Sequence, residues 1–222
     1  MDVQHERELD VIESYIQKSA LSLAEGLEWF WPYSKTMNST LKEANIVSHL
    51  AHVLLNNSFF VYSEVPFADK KNKNIMKNKE DDNKRMSLDL LAFNIKERML
   101  ICLEAKGHPY DPKKVLEDMI RLKDFEMPEH DTTWSRNIFY PEKRFALFAT
   151  TCTDKNFSDW WSGDEVESNP PGRYAYENIA KYLNKTKRRY SYVLREGQGD
   201  NGEFCWRYLY ALWDLEQLKT VS

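Results

Sequence analysis

Met86-Ser-Leu-Asp-Leu-Leu-Ala-Phe93 and Met99-Leu-Ile-Cys-Leu-Glu-Ala-Lys106 are two apolar, strand-like runs separated by Asn94-Ile-Lys-Glu-Arg98. Each carries ionisable side chains among residues a strand would bury: Asp89 in the first, Glu104 and Lys106 in the second. Burying an unpaired charge costs several kcal/mol or forces the group neutral. Such residues persist where something compensates them, and a divalent metal ion is one such partner. If the runs form an antiparallel hairpin turning at Lys96-Glu97, facing residue numbers sum to 193 and Asp89 falls opposite Glu104. A four-residue loop from Ile95 to Arg98 keeps that register. Facing residues have Cβ atoms about 4.5–5.5 Å apart, and alternation returns Lys106 to the face of Glu104. A slip of one residue would undo the arrangement. Lys96-Glu97 is not a turn of the Asn-Gly kind.

Ser87-Leu88-Asp89 followed by Glu104-Ala105-Lys106 resembles the paired half-motifs of the PD-(D/E)XK nuclease superfamily, over roughly residues 40–150. The proline of the superfamily's name is replaced here by Leu88. The resemblance implies a restriction-endonuclease-like αβββαβ core, an α/β fold with a mixed central sheet flanked by helices. It implies a Mg²⁺ ion, with Mn²⁺ able to substitute, held by Asp89, Glu104 and the carbonyl of Ala105, with Lys106 orienting the attacking water. A further carboxylate would come from Glu64 on the first strand or Glu43 at the start of the preceding helix. The substrate it implies is nucleic acid, DNA before RNA, cut by an endonuclease before an exonuclease. A homodimer would suit cutting of both strands. Two other readings remain open: an inactive nuclease-like fold that binds nucleic acid or protein, and a structural Asp89–Lys106 ion pair in an ordinary α/β protein.

At 222 residues, 42% hydrophobic and 14% aromatic, the chain has material for a sizeable core. It divides into an N-terminal helical extension, 1–38, packed on a nuclease-like domain, 39–222. No apolar run approaches the ~20 residues that span a bilayer, so no membrane partner is expected. The charged start lacks a signal-peptide core. Cys102, Cys152 and Cys205 have no zinc-ligand spacing and read as reduced, buried residues of a cytoplasmic protein. The net charge of −4 does not by itself attract nucleic acid, but it is unevenly spread. Residues 68–85 hold seven Lys/Arg against four acids, and 181–195 hold six with no acid. Lys70, Lys71, Lys73, Lys187, Arg188 and Arg189 are therefore candidate phosphate contacts. Solvated surface charge is the plainer reading.

Helical spacing of Leu9, Ile12, Ile16, Leu23 and Leu27 predicts a helix or two over 5–30. Thr40-Leu-Lys-Glu43 is a capping box opening a second helix, with Leu41, Ala44, Val47, Leu50, Ala51 and Leu54 inward. His49 and His52 fall off that stripe and read as surface residues. Phe59–Phe67 predicts a first strand, ending or lying at an edge because of Pro66. The Lys/Asn-biased stretch 68–85 predicts a mobile basic loop leading into the candidate site. His108 follows two residues after Lys106 and is a candidate substrate contact. Pro112 starts a helix to about Phe125, with Val115, Leu116, Met119, Ile120 and Leu122 apolar. Arg144–Cys152 predicts a strand buried on both faces. Beyond it lie an acidic insertion, 154–167, a helix over 173–187, and strands at 190–195 and 204–213 joined by a Gly-rich loop.

Overall fold

Alternating and continuous apolar runs account for one six-stranded mixed sheet, seen in a computed structural model that describes residues 3–30, 43–67, 86–107, 112–125, 140–163, 173–199 and 202–221. The strands are β1 (Phe60–Phe67), β2 (Met86–Asn94), β3 (Met99–Lys106), β4 (Lys143–Cys152), β5 (Arg188–Gly199) and β6 (Gly202–Asp214). They lie in the order β1-β2-β3-β4-β6-β5. Only β3 and β4 pair in parallel. Parallel neighbours need a crossover, and α3 (Pro112–Asp124) lies in the connection between them. With α2 (Glu43–Asn56) in front, the order over 43–152 is helix, three strands, helix, strand, as the sequence predicts. Pro66 sits on β1, an edge strand, where its missing N–H breaks no interior ladder.

The β2–β3 register is also the predicted one. Leu90 pairs with Leu103, Ala92 with Ile101 and Asn94 with Met99, each pair summing to 193. β4 is buried from Phe145 to Cys152 because it lies inside the sheet with both faces covered.

Two cores sandwich the sheet. On one face α1 (Val3–Phe30) and α2 bring Leu9, Ile12, Ile16, Ile46 and Leu50 against Ile101, Leu103, Tyr208 and Tyr210. On the other, α3, α4 (Lys155–Ser162) and α5 (Arg173–Leu183) bring Met119, Phe157, Trp161 and Ile179 against Cys102, Phe148 and Trp213. Each such aliphatic or aromatic side chain contributes about 1.5–3 kcal/mol when fully buried. Charged contacts also tie α1 to the sheet: Arg188 reaches Glu6 at 2.6 Å and Asp10 at 3.3 Å, and Lys143 reaches Glu8 at 2.6 Å.

Several elements depart from the sequence reading. Residues 155–162 of the expected acidic insertion are α4, because Asp154 accepts from the N–H groups of Asn156 and Phe157 and Gly163 closes the helix at φ 95°. β5 runs on to Gly199, with a bulge between Val193 and Arg195, so most of the expected Gly-rich loop is ladder. The fifth helix ends at Leu183, not Lys187, and a single turn, α6 (Leu215–Leu218), follows β6. In α2 the buried residues are Ile46, Leu50, Val53 and Leu54, since the helix is held by both the sheet and α1. His49 consequently faces α1, half-buried, hydrogen-bonded to Ser22 at 2.9 Å, while His52 is exposed. Among the described residues no helix is long and apolar enough to cross a membrane.

Candidate functional site

The regular pleat fails at one point on both β1 and β2. Leu90 and Ala92 of β2 join the core under α1 and α2, whereas Leu88 joins the core under α3. The β2–β3 ladder stops at Leu90, one residue short of Asp89. On β1 the residue across from Asp89 is Glu64, which is left out of the ladder and takes a φ of 52°. That left-handed conformation costs a non-glycine residue of order 1 kcal/mol. Where the strands part, Asp89 Oδ2 accepts the N–H of Ala105 at 2.6 Å. A carboxylate thus takes up a strand amide that the ladder leaves open.

From Asp89 a continuous chain of ionisable groups crosses the carboxyl end of β3. Asp89 and Glu104 lie near enough for each to shift the other's ionisation. Glu104 is wholly buried and is gripped by both arms of Arg121, at 3.0 Å (Nε to Oε1) and 2.9 Å (Nη2 to Oε2). Arg121 also donates to Asp118 Oδ1, one turn earlier on α3. Asp118 is 2% exposed, and its Oδ2 has no well-aligned hydrogen bond, only the Lys106 ammonium at 3.1 Å. Lys106 in turn reaches Glu43 Oε2, also at 3.1 Å. The order is Glu43, Lys106, Asp118, Arg121, Glu104, Asp89: acids and cations alternate until the last two, where acid meets acid.

The electrostatics follow that order. Burial pushes the Glu104 carboxyl up to about 8, against the Arg121 fork and with help from Asp89 and Asp118. Burial also raises Asp118 to about 6, with Arg121 and Lys106 opposing. Asp89 rises through burial and the nearby Glu43, offset by the Ala105 N–H. Burial opposes the Lys106 ammonium, but Asp118 and Glu43 outweigh it and hold the proton more firmly than usual. Arg121 is raised first by its bonds to Glu104. Fully ionised, four carboxylates face two cations, a net charge of −2 over the row, with Asp89 at its end taking part in none of these ion pairs.

No family model matches the chain, and no curated protein or solved structure matches it significantly. What the site can do therefore rests on its own chemistry. Hard carboxylate oxygens in a row with a net charge of −2 suit a divalent cation such as Mg²⁺. Among the described residues, no three of His, Cys, Asp and Glu lie ready to share an ion. The guanidinium of Arg121 and the ammonium of Lys106 hold the carboxylates as they stand. Asp89 and Glu104 offer hard oxygen donors of the right kind for such an ion, and Arg121 occupies Glu104.

The structure brings Asp89, Glu104 and Lys106 together, with Ala105 entering through its N–H and Glu43 through Lys106. Lys106 forms its ion pairs with Asp118 and Glu43, so the simple Asp89–Lys106 pair does not describe the site. Glu64 stays outside the chain of contacts, exposed, its Oε2 accepting from Ser87 at 3.3 Å. Asp118 and Arg121 went unread in the sequence, though Asp118 stands on the apolar stripe of α3 with Val115, Met119 and Leu122.

The basic candidates divide. Arg188 is committed to Glu6, Asp10 and Glu13 of α1. Strand alternation turns Arg189 to the opposite face, against Gly163. The pairings Glu104–Phe148–Ala211–Arg189 place it in the row of Glu104, three strands and roughly 14 Å away. Lys187 lies at the start of that strand, partly exposed. Lys70, Lys71, Lys73, the rest of 68–85 and His108 lie outside the described residues.

Proposed function

We propose that the protein is a metal-dependent nuclease hydrolysing phosphodiester bonds, in DNA first, on a restriction-endonuclease-like core. The order α2-β1-β2-β3-α3-β4 and the mixed sheet support that core. One observation carries the activity: a partly buried row of alternating charges that ends on two neighbouring acids, Glu104 and Asp89, at the carboxyl end of a strand with a parallel neighbour. Ligands bind at such strand ends in open α/β sheets. Asp89, Glu104 and the carbonyl of Ala105 would hold Mg²⁺, which when bound polarises the phosphoryl oxygen and acidifies a water molecule. Lys106 orients that water and stabilises negative charge developing on the phosphate. Asp118 and Glu43 fix the ammonium from two sides, so its Nζ is positioned before substrate arrives. Strain at Glu64, directly across from Asp89, supports a built site, since such backbone clusters where function over-determines it.

The test is cleavage of plasmid and linear DNA, with RNA in parallel, in Mg²⁺ or Mn²⁺. Asp89→Ala and Lys106→Ala should each lower the rate by about 10²–10³-fold. Cleavage by neither wild type nor any substrate arm, or cleavage untouched by both variants, ends the enzymatic reading. A second reading has its own observation in favour. Arg121 engages both oxygens of Glu104, which suits an inactive nucleic-acid-binding or protein-binding module in which that carboxyl group is structural. Calorimetric Mg²⁺ binding that disappears in Glu104→Ala separates the two.

A further inference from the structure

We propose that Arg121 is the resting occupant of the Glu104 carboxyl group, and that a divalent cation takes this ligand only by displacing the guanidinium, so that Arg121 sets the cation affinity of the site. This deepens the nuclease reading and rests on it. Three features of the geometry carry it.

The fork is bidentate, so both Glu104 oxygens are engaged at 2.9–3.0 Å. A carboxylate keeps further lone pairs beside a bidentate arginine. A doubly charged ion on those lone pairs would nonetheless stand within a few ångströms of the guanidinium, in a poorly solvated setting where like charges repel strongly. The two cations therefore compete for Glu104.

Arg121 has somewhere to go. Its side chain is 27% exposed, while those of Glu104 and Asp118 are 0% and 2%. It can rotate toward solvent without opening the core. Asp118 Oδ1, one helical turn back, already accepts from Nη2 and gives the displaced guanidinium a second seat.

The displaced state also leaves Lys106 in place. The ammonium is held by Asp118 Oδ2 and Glu43, neither of which belongs to the Glu104–Arg121 fork. Removal of Arg121 from Glu104 thus frees one metal ligand while the positioning of Lys106 survives. The other cations of α3 stand elsewhere on the helix. Lys113 and Lys114 lie at its start, and Lys123 reaches the carbonyl of Val221.

The experiment is Mn²⁺ binding to the full chain, read from the electron paramagnetic resonance signal of free Mn²⁺, in wild type, Arg121→Gln and Asp89→Ala. The expected result is binding at least about tenfold tighter in Arg121→Gln than in wild type, and lost in Asp89→Ala. Equal or weaker binding in Arg121→Gln, beside wild-type binding that Asp89→Ala abolishes, overturns the role of Arg121 and leaves the nuclease reading standing. Absence of Mn²⁺ binding in both wild type and Arg121→Gln, or its persistence in Asp89→Ala, overturns both. A measurement on wild type alone covers a variant that fails to fold. The ¹⁵Nε–¹H resonance of Arg121 should move on Mg²⁺ titration while that of Arg188, paired with α1, stays still. An unmoved Arg121 resonance at Mg²⁺ saturation refutes displacement.

Discussion

Glu104→Gln in the metal-free protein reads the balance at the heart of the site. The Glu104 carboxyl is pushed from its ordinary 4.5 up to about 8, first by burial. Between those values the folded protein holds a proton that the unfolded chain has released. Stability from this group is then complete below pH 4.5 and is lost as pH climbs toward 8. At 1.36 kcal/mol per unit, the loss between pH 5 and pH 8 is roughly 3 kcal/mol, the group being shut from solvent. Gln cannot ionise, and its one amide oxygen can keep one of the two Arg121 bonds. Urea unfolding in chelator at about pH 5, 6, 7 and 8 should show the variant gaining on wild type by roughly that amount across the range. Asp89 and Asp118 are raised too and act on Glu104, so the variant relieves them as well and the pH dependence read is that of the coupled cluster. A difference that stays constant with pH, or moves in favour of wild type, would mean that the Arg121 fork defeats burial and Glu104 folds as a carboxylate.

Gly163→Ala should lower the unfolding free energy by about 1–2 kcal/mol, seen as a drop in Tm, because φ is 95° and a Cβ would meet the Arg189 guanidinium at 2.7 Å. Trp161→Ala should cost about 3–5 kcal/mol in urea titrations, since the ring is fully buried against Phe148 and Phe157 and its Nε1 donates to the Tyr210 carbonyl at 2.8 Å. Thiol titration at about pH 8 should label Cys205 first. Burial raises both Cys102 and Cys152, the latter to about 12, and Cys205 alone of the three is partly accessible.

The strands were legible because their apolar runs are long and separated by a short polar stretch. A turn centred on Lys96-Glu97 between the apolar runs 86–93 and 99–105 sets the pairing sum at 193, and the observed ladder keeps it. The same reasoning puts Asp89 regularly opposite Glu104, but the ladder stops at Leu90, since nothing in a hydrophobic pattern encodes a carboxylate replacing a strand carbonyl. Asp118 could have been found by the signal that exposed Asp89, an acid inside an apolar stripe. It was hidden because Leu116 and Ile120, which are partly or largely exposed, widened the apparent stripe of α3. Arg121 carries no such mark: on sequence alone it is a basic residue in the last turn of a helix, where such residues favour the macrodipole. α4 was masked by its acids, although Asp154 and Gly163 are its start and stop.

Lys106 also has a mechanical consequence. Glu43 belongs to the helical layer on one side of the sheet and Asp118 to the layer on the other, and a single ammonium at the sheet's end pins both. Any rocking of α2 against α3 must stretch one of those two contacts. Under the proposed activity, the side chain that meets the scissile bond is thereby a strain gauge across the thickness of the fold. A partner pressing on either helix would be felt at the reacting phosphate.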